Sequence, residues 1–238
     1  FSRAALEETA RQFTVCPFEL GLDLSQWCDV VIGDYNYLFD PVVRLHRFFD
    51  SAGDWLFLID EAHNLPDRAR AMYSAQFSKS SLTEAKRALG KGKSPLKAAL
   101  TRADKAFLET RKQTAEQGGT AFLQELPAEL LKPLHALQAP LQDWLEQNPD
   151  AEAHAQLLDL YFAVQDITRA AERYDEHFVT QLSAYGSDLI LQLLCLDPSA
   201  FVDASLACGR AAALFSATLT PPGYYRSVLG CPDARAVA

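Results

Sequence analysis

The sequence has little that would mark a membrane or secreted protein. No apolar run in its 238 residues approaches the roughly 18 that a membrane helix requires. No secretory signal pattern and no initiator Met are present, so we interpret the chain as an internal piece of a longer protein. Its five cysteines are scattered and form no C-x-x-C pair, which argues against a disulfide framework. We expect a cytoplasmic monomer with reduced thiols and no membrane partner.

Basic residues are outnumbered, because 22 Lys and Arg against 31 Asp and Glu give a net charge of −9. Their distribution is uneven: residues 79–112 hold ten basic residues and three acids, a local charge of +7 that leaves −16 for the rest. Local fields steer polyanions, although a charge run is as often a solvated helix face. Both interpretations stay open, and the candidate phosphate contacts are Lys86, Arg87, Lys91 and Lys93.

A short apolar stretch that ends in two carboxylates is the most informative part of the sequence. Residues 55–59, WLFLI, have the continuous hydrophobic pattern of a parallel strand covered on both faces, and Asp60 and Glu61 follow directly. Ligands of open α/β sheets bind at the carboxyl ends of strands. A nucleotide hydrolase needs one carboxylate for Mg²⁺ and another for the attacking water. The sequence DEAH at 60–63 therefore predicts such a site, with two solvated acids as the alternative.

Two further apolar stretches predict strands of the same sheet. Residues 28–33 precede Asp34-Tyr35-Asn36-Tyr37, and residues 211–215 precede Ser216-Ala217-Thr218. A crossover helix over residues 41–49 would complete a βαβ unit. Residues 79–185 show hardly any strand pattern, and a capping box at Ser81 opens their first helix. We predict an α/β fold in which part of a parallel sheet carries a large all-helical insertion.

Three motifs together resemble one family. VCPFEL at 15–20, DEAHNL at 60–65 and SATLTP at 216–221, with CDVVIGDYNYLFDP at 28–41, are similar to motifs of the iron–sulfur superfamily 2 DNA helicases. Within this XPD/Rad3 and DinG group, the bacterial DinG-like branch is the most similar. The resemblance implies a RecA-like motor domain whose DEAH and SAT motifs are separated by a helical arch domain.

The same resemblance divides the chain into four segments. Residues 1–20 would be the tail of the iron–sulfur cluster domain, and residues 21–78 part of the first motor domain with its DEAH box. Residues 79–190 would be the arch, and residues 191–238 the return of the motor domain with the SAT motif.

The resemblance also implies roles for the motif residues. Asp60 would hold Mg²⁺ and ATP, Glu61 would orient or deprotonate the attacking water, and His63 would connect the nucleotide site with the DNA-side motifs. Ser216 and Thr218, with the alanine between them, would couple hydrolysis to strand movement.

Contacts with single-stranded DNA require a basic groove and aromatic side chains on which bases stack. Tyr35, Asn36 and Tyr37 are candidates, and packing of the two tyrosines within the protein is an equal alternative. DNA in single-stranded or forked form is the expected substrate.

Parts of the family's machinery are missing from this sequence. Cys16 would be the last of four ligands of a [4Fe–4S] cluster, with a buried free thiol as the alternative; a cluster takes four ligands as a rule, so we expect none intact in this chain. No G-x-x-x-x-G-K-[ST] loop occurs, and the GKGKS stretch at 90–94 lacks its spacing. ATP, Mg²⁺ and the cluster would belong to the parent protein, and this chain alone is expected to be inactive.

We therefore interpret the chain as a piece of an ATP-dependent DNA helicase, 5′-to-3′ by resemblance, that works near the bacterial nucleoid with repair or replication proteins. The first alternative is a non-catalytic arch that binds DNA or protein. The second is an RNA helicase or a nuclease-linked relative. CPFEL and the insertion favour a DNA helicase.

Overall fold

The computed structural model describes residues 2–237, which build two units with separate hydrophobic cores. The helices are α1 (Arg3–Phe13), α2 (Pro17–Ser25), α3 (Asn36–Phe39), α4 (His46–Phe49), α5 (Leu65–Tyr73), α6 (Lys79–Ala88), α7 (Pro95–Glu116), α8 (Ala128–Gln147), α9 (His154–Glu172), α10 (Ser199–Leu206) and α11 (Pro222–Val228). The strands are β1 (Leu56–Ile59), β2 (Ala75–Ser78), β3 (Thr120–Leu123), β4 (Phe178–Tyr185), β5 (Asp188–Cys195) and β6 (Ala211–Leu214). None of these helices is both long and apolar enough to cross a lipid bilayer.

The first unit is built on the parallel pair of β1 and β6. Leu56 lies opposite Ala211, and Ile59 lies opposite Leu214. The chain leaves this sheet after β1 and returns to it in β6, with the second unit between them. The predicted α/β fold, with a parallel sheet interrupted by a large insertion, is confirmed.

The predicted βαβ unit is wrong for the residues that the structure describes. Residues 28–34 form no strand, and the side chains of residues 30–32 are between 60% and 95% exposed. Of the crossover helix predicted over residues 41–49, only the single turn α4 is helical. Leu56 and Leu58 of β1 are also largely exposed, so this strand is not covered on both faces. An apolar run becomes a strand where a neighbour supplies its hydrogen bonds, and no described strand lies beside residues 28–33.

The prediction of an all-helical insertion is also wrong. Strands β2, β5, β4 and β3 form an antiparallel sheet in that order, and β4 and β5 are joined by a tight turn at Gly186. Buried and half-exposed residues alternate strictly along β5, the period of two that marks a strand with one buried face. The strands of this sheet begin at Ala75 and end at Cys195, so the second unit spans residues 75–195. The predicted domain limits, including 79–190 for the arch, stay a prediction.

Four helices cover one face of the antiparallel sheet and form the larger core with it. Residues of α6, α7, α8 and α9 pack there with Phe77 and Leu191 of the sheet. The first helix begins earlier than predicted, because Ser78 rather than Ser81 accepts the capping hydrogen bond, from the Ser80 N–H at 3.2 Å. This larger core contains no residue of β1 or β6.

Asp104 ties α7 to α6 through two lysines. Its carboxylate lies 2.9 Å from Lys79 Nζ and 2.8 Å from Lys86 Nζ, and its side chain is only 20% exposed. Burial acts to raise the pKa of Asp104, but the hydrogen bonds and charges of Lys86 and Lys79 outweigh it and hold the pKa below its usual value. Two of the basic residues in the 79–112 stretch are therefore neutralised within the protein.

We predict that Asp104→Asn destabilises the chain by about 1–3 kcal/mol at neutral pH, because it leaves two half-buried ammonium groups without their counter-charge. A carboxyl whose pKa is lowered by folding stabilises the folded state at pH values above its ordinary pKa of about 3.9. This stabilisation is lost as the pH falls through the lowered pKa of the folded state. Urea unfolding should therefore show wild type and variant converging in acid. The exposed Asp143→Asn on α8 is the control, and an equal loss there would contradict the prediction.

Candidate active site

The DEAH turn begins where β1 ends. Asp60 Oδ1 accepts a hydrogen bond from the Glu61 N–H at 2.7 Å, and Glu61 adopts a left-handed conformation with φ 48° and ψ 40°. The ladder to β6 continues past both strands, because Phe215 N–H donates to Ile59 O at 3.0 Å and Ala62 N–H donates to Phe215 O at 3.1 Å. The two carboxylates thus lie at the carboxyl end of a parallel pair, where α/β folds bind ligands.

A short polar network joins the DEAH turn to the segment after β6. His63 Nδ1 lies 2.8 Å from Ser216 Oγ and 3.1 Å from Glu61 Oε2. Ser216 Oγ also donates to Glu61 Oε2 at 3.2 Å and lies 3.4 Å from Thr218 Oγ1. Four of the five predicted catalytic side chains are therefore hydrogen-bonded to one another, and Asp60 is adjacent. Their roles in catalysis stay predictions.

The donor set fits a magnesium–nucleotide complex better than a metal held by protein alone. No group of three or more His, Cys, Asp or Glu residues with metal-binding geometry occurs among residues 2–237. Mg²⁺ in nucleotide sites takes one or two carboxylates and completes its shell with water and phosphate oxygens. Asp60 is exposed, and one of its two oxygens makes no hydrogen bond with the described protein. It can therefore serve as the single carboxylate of such a shell.

Tyr35 and Tyr37 are engaged within the protein. The Tyr35 hydroxyl donates to the backbone oxygens of Asp60, at 2.5 Å, and Glu61, at 3.0 Å. The Tyr37 ring lies 6.4 Å from the ring of Phe18. These contacts favour the packing alternative for the two tyrosines.

Arg68 is a site residue that the sequence reasoning missed. Its guanidinium lies 4.8 Å above the Tyr35 ring and within 3.3 Å of Asp34 Oδ1 and 3.4 Å of Asn36 Oδ1. An arginine one helical turn after DEAH carries no motif that would have identified it. Asn36, predicted to contact DNA, therefore lies against this arginine.

A second arginine fixes the segment that carries Tyr35. Arg44 donates to Ser205 Oγ on α10 at 3.2 Å, to Leu38 O at 3.3 Å and to Phe49 O at 2.7 Å. The loop between α3 and α4 is thereby fastened to the segment that leads into β6.

The basic candidates differ in their surroundings. Lys86 is paired with Asp104, whereas Arg87, Lys91 and Lys93 are exposed around the turn between α6 and α7.

Cys16 is an exposed thiol at the start of α2, so the buried-thiol alternative is wrong. Whether it ligates a cluster stays a prediction.

Comparisons with known proteins agree with the motifs. The DEAD_2 family model matches residues 2–82. Over 84 residues the chain is 32% identical to the Fanconi anemia group J protein homolog of Gallus gallus, a match that covers 35% of this chain and 7% of that protein. It is 27% identical over 84 residues to the general transcription and DNA repair factor IIH helicase subunit XPD of Schizosaccharomyces pombe, covering 35% of this chain and 11% of that protein.

A solved XPD helicase structure shares the fold. It superposes with a TM-score of 0.52 at 18% identity and covers 95% of this chain, while the chain covers 38% of it. The sequence matches support the resemblance to XPD/Rad3-type superfamily 2 helicases that the motifs indicate, and the superposition supports the fold. The chain spans well under half the length of each of these relatives, and its closer placement in the DinG-like branch stays a prediction.

The contact between the two motifs can be tested by a double-mutant cycle on His63→Ala and Ser216→Ala. Because the imidazole and the hydroxyl are 2.8 Å apart, we expect a coupling free energy of about 0.5–1.5 kcal/mol in urea unfolding. A second cycle of His63→Ala with Thr101→Val, an exposed residue of α7 whose hydroxyl bonds only within its own helix, should give a coupling near zero. Strictly additive losses in the first cycle would contradict a direct interaction.

Proposed function

We propose that this chain forms part of the first motor domain and the arch of an ATP-dependent DNA helicase that moves along single-stranded DNA. The observation that carries the proposal is the hydrogen-bonded network of His63, Ser216 and Glu61 at the ends of two parallel strands. Such a network is what a motor needs between the residues that hydrolyse ATP and those that respond to hydrolysis. One of the two curated relatives is named as a helicase subunit of a general transcription and DNA repair factor, which supports the same function.

Asp60 would hold the Mg²⁺ of the nucleotide through its free oxygen, directly or through water. When bound, the ion would neutralise charge on the phosphates. Glu61 would orient the attacking water and accept its proton. Since Glu61 Oε2 is shared by His63 and Ser216, a shift of this carboxylate after hydrolysis would alter their hydrogen bonds and reach residues 216–218.

The phosphate-binding loop of such an enzyme is not in these 238 residues, which contain no G-x-x-x-x-G-K-[ST]. We propose that ATP hydrolysis needs the longer protein and that the chain by itself is inactive. Hydrolysis by the purified chain would contradict this proposal.

DNA would follow the exposed cations of the insertion, with 5′-to-3′ movement expected from the resemblance. Arg87, Lys91 and Lys93 lie close together in sequence and are exposed. The separate core of residues 75–195 also supports a second candidate function, in which the insertion acts as a binding module for DNA or protein. Titration with matched DNA and RNA oligonucleotides would separate a DNA helicase from an RNA helicase.

We predict that Glu61→Gln in the full-length protein lowers ATP hydrolysis by about 10²- to 10⁴-fold and abolishes unwinding, because the amide cannot accept the proton of the attacking water. Nucleotide affinity and the fold should change little, since the substitution removes a charge and almost no packing. Asp67→Asn, an exposed acid of α5, is the control for loss of one charge. Normal unwinding by Glu61→Gln would refute the catalytic role.

We predict that replacing Arg87, Lys91 and Lys93 together by Gln weakens single-stranded DNA binding. Each phosphate contact on single-stranded DNA contributes about 0.7 to the slope of log affinity against log salt. If each of the three cations contacts one phosphate, the magnitude of the slope should therefore fall by about 2. Fluorescence anisotropy with a labelled oligonucleotide measures both quantities. The matched control replaces Arg102, Lys105 and Lys112, which are exposed on α7 and carry the same charge. An equal effect of the two triple changes would indicate diffuse attraction instead of local contacts.

A further inference from the structure

The backbone of the DEAH turn is held from outside the sheet by one hydroxyl. Tyr35 Oη lies 2.5 Å from Asp60 O and 3.0 Å from Glu61 O, the carbonyls of the two predicted catalytic residues. The hydroxyl has a single proton, which it shares between these two acceptors. Tyr35 lies 21 residues before the first residue of β1 and packs against the core of the first unit. The contact therefore joins two separate segments of the chain.

The turn that Tyr35 holds has a conformation that requires support. Glu61 has φ 48°, one of two positive values among the described residues other than glycine. A left-handed conformation at such a residue costs free energy and persists where its surroundings fix it. On one side the Ala62 N–H bonds to Phe215 O, and on the other the Tyr35 hydroxyl bonds to the carbonyls of Asp60 and Glu61.

Tyr35 is itself held in place. The Arg68 guanidinium lies 4.8 Å from its ring centroid, a cation–π distance, and also reaches the side-chain oxygens of Asp34 and Asn36. Burial raises the pKa of Tyr35; the Arg68 charge opposes this shift, and the carboxylates of Asp60, Glu61 and Asp34 add to it. The hydroxyl therefore keeps its proton and remains a donor at neutral pH.

We propose that Tyr35 is a positioning residue for ATP hydrolysis, which holds the Asp60–Glu61 backbone so that the Glu61 carboxylate stays in line with its water. This inference rests on the proposed function. It assigns Tyr35 to the nucleotide side of the motor instead of the stacking of DNA bases. Asn36 and Asp34 then serve to hold Arg68 over the ring.

The test is Tyr35→Phe in the full-length protein, which removes the hydroxyl and keeps the ring under Arg68. We expect kcat for DNA-stimulated ATP hydrolysis to fall roughly tenfold, the effect of losing one supporting hydrogen bond. KM for ATP and Kd for a single-stranded oligonucleotide should change less than about twofold. Tyr225→Phe is the matched control, since Tyr225 packs against the same core and its hydroxyl makes no hydrogen bond with the described part of the chain, and it should leave kcat unchanged.

A stacking role predicts the opposite pattern. Tyr35→Phe would then be neutral in every assay, and Tyr35→Leu would weaken oligonucleotide binding at unchanged basal hydrolysis. That result would overturn the proposal, as would equal loss of kcat in Tyr35→Phe and Tyr225→Phe.

Folding and the wider function are tested separately. Hydrogen exchange over residues 57–66 should be faster in Tyr35→Phe while the melting temperature stays near that of wild type; unchanged exchange would contradict the contact. Should Tyr35→Phe fail to fold, Arg68→Gln must show the same selective loss of kcat, and a normal kcat there overturns the proposal. If the wild-type protein shows no DNA-stimulated ATP hydrolysis, the proposed function is contradicted. If the wild-type protein is active and Tyr35→Phe has the same kcat, only the inference about Tyr35 is contradicted.

Discussion

The parallel pairing of β1 with β6 is the constraint on which the candidate site depends. Its four residue pairs, from Leu56–Ala211 to Ile59–Leu214, join parts of the chain that are separated by the whole insertion. The hydrogen bonds of Phe215 with Ile59 and Ala62 then extend the ladder beyond the strands. Because both strands end together, DEAH and SAT side chains meet without any long side chain reaching across. A one-residue slip in this register would separate Glu61 from Ser216.

The insertion satisfies that constraint because its own first and last strands are neighbours. β2 enters and β5 leaves the second unit side by side, with Ala75 opposite Leu193. A long excursion whose ends are adjacent does not strain the sheet that it interrupts, since the loop-closure cost grows slowly with length. The insertion can therefore carry its own core while β1 and β6 stay paired.

The parts that the sequence predicted are those fixed by local pattern. Residues at the end of an apolar strand lie at a sheet edge whatever surrounds them, so the positions of DEAH and SAT followed from their neighbours alone. Strands β3 and β4 were missed because they lie within residues 79–185, which were assigned to helices, and β5 was missed although its burial has a period of two. Residues 28–33 were assigned to a strand because composition does not reveal whether a partner strand exists. The Tyr35 contact has backbone acceptors, which leave no mark in the sequence.

The basic residues of 79–112 also show that composition alone does not reveal which cations are paired within the protein. The local net charge of +7 in residues 79–112 suggests a broad surface that binds polyanions. In the structure Lys79 and Lys86 share Asp104, and Arg111 and Lys97 donate to the backbone oxygens of Gly186 and Gly90. A cation that already has a buried partner gains less from a phosphate, because it must first give up that contact. Phosphate binding therefore depends on where the unpaired cations lie, and the turn between α6 and α7 concentrates three of them.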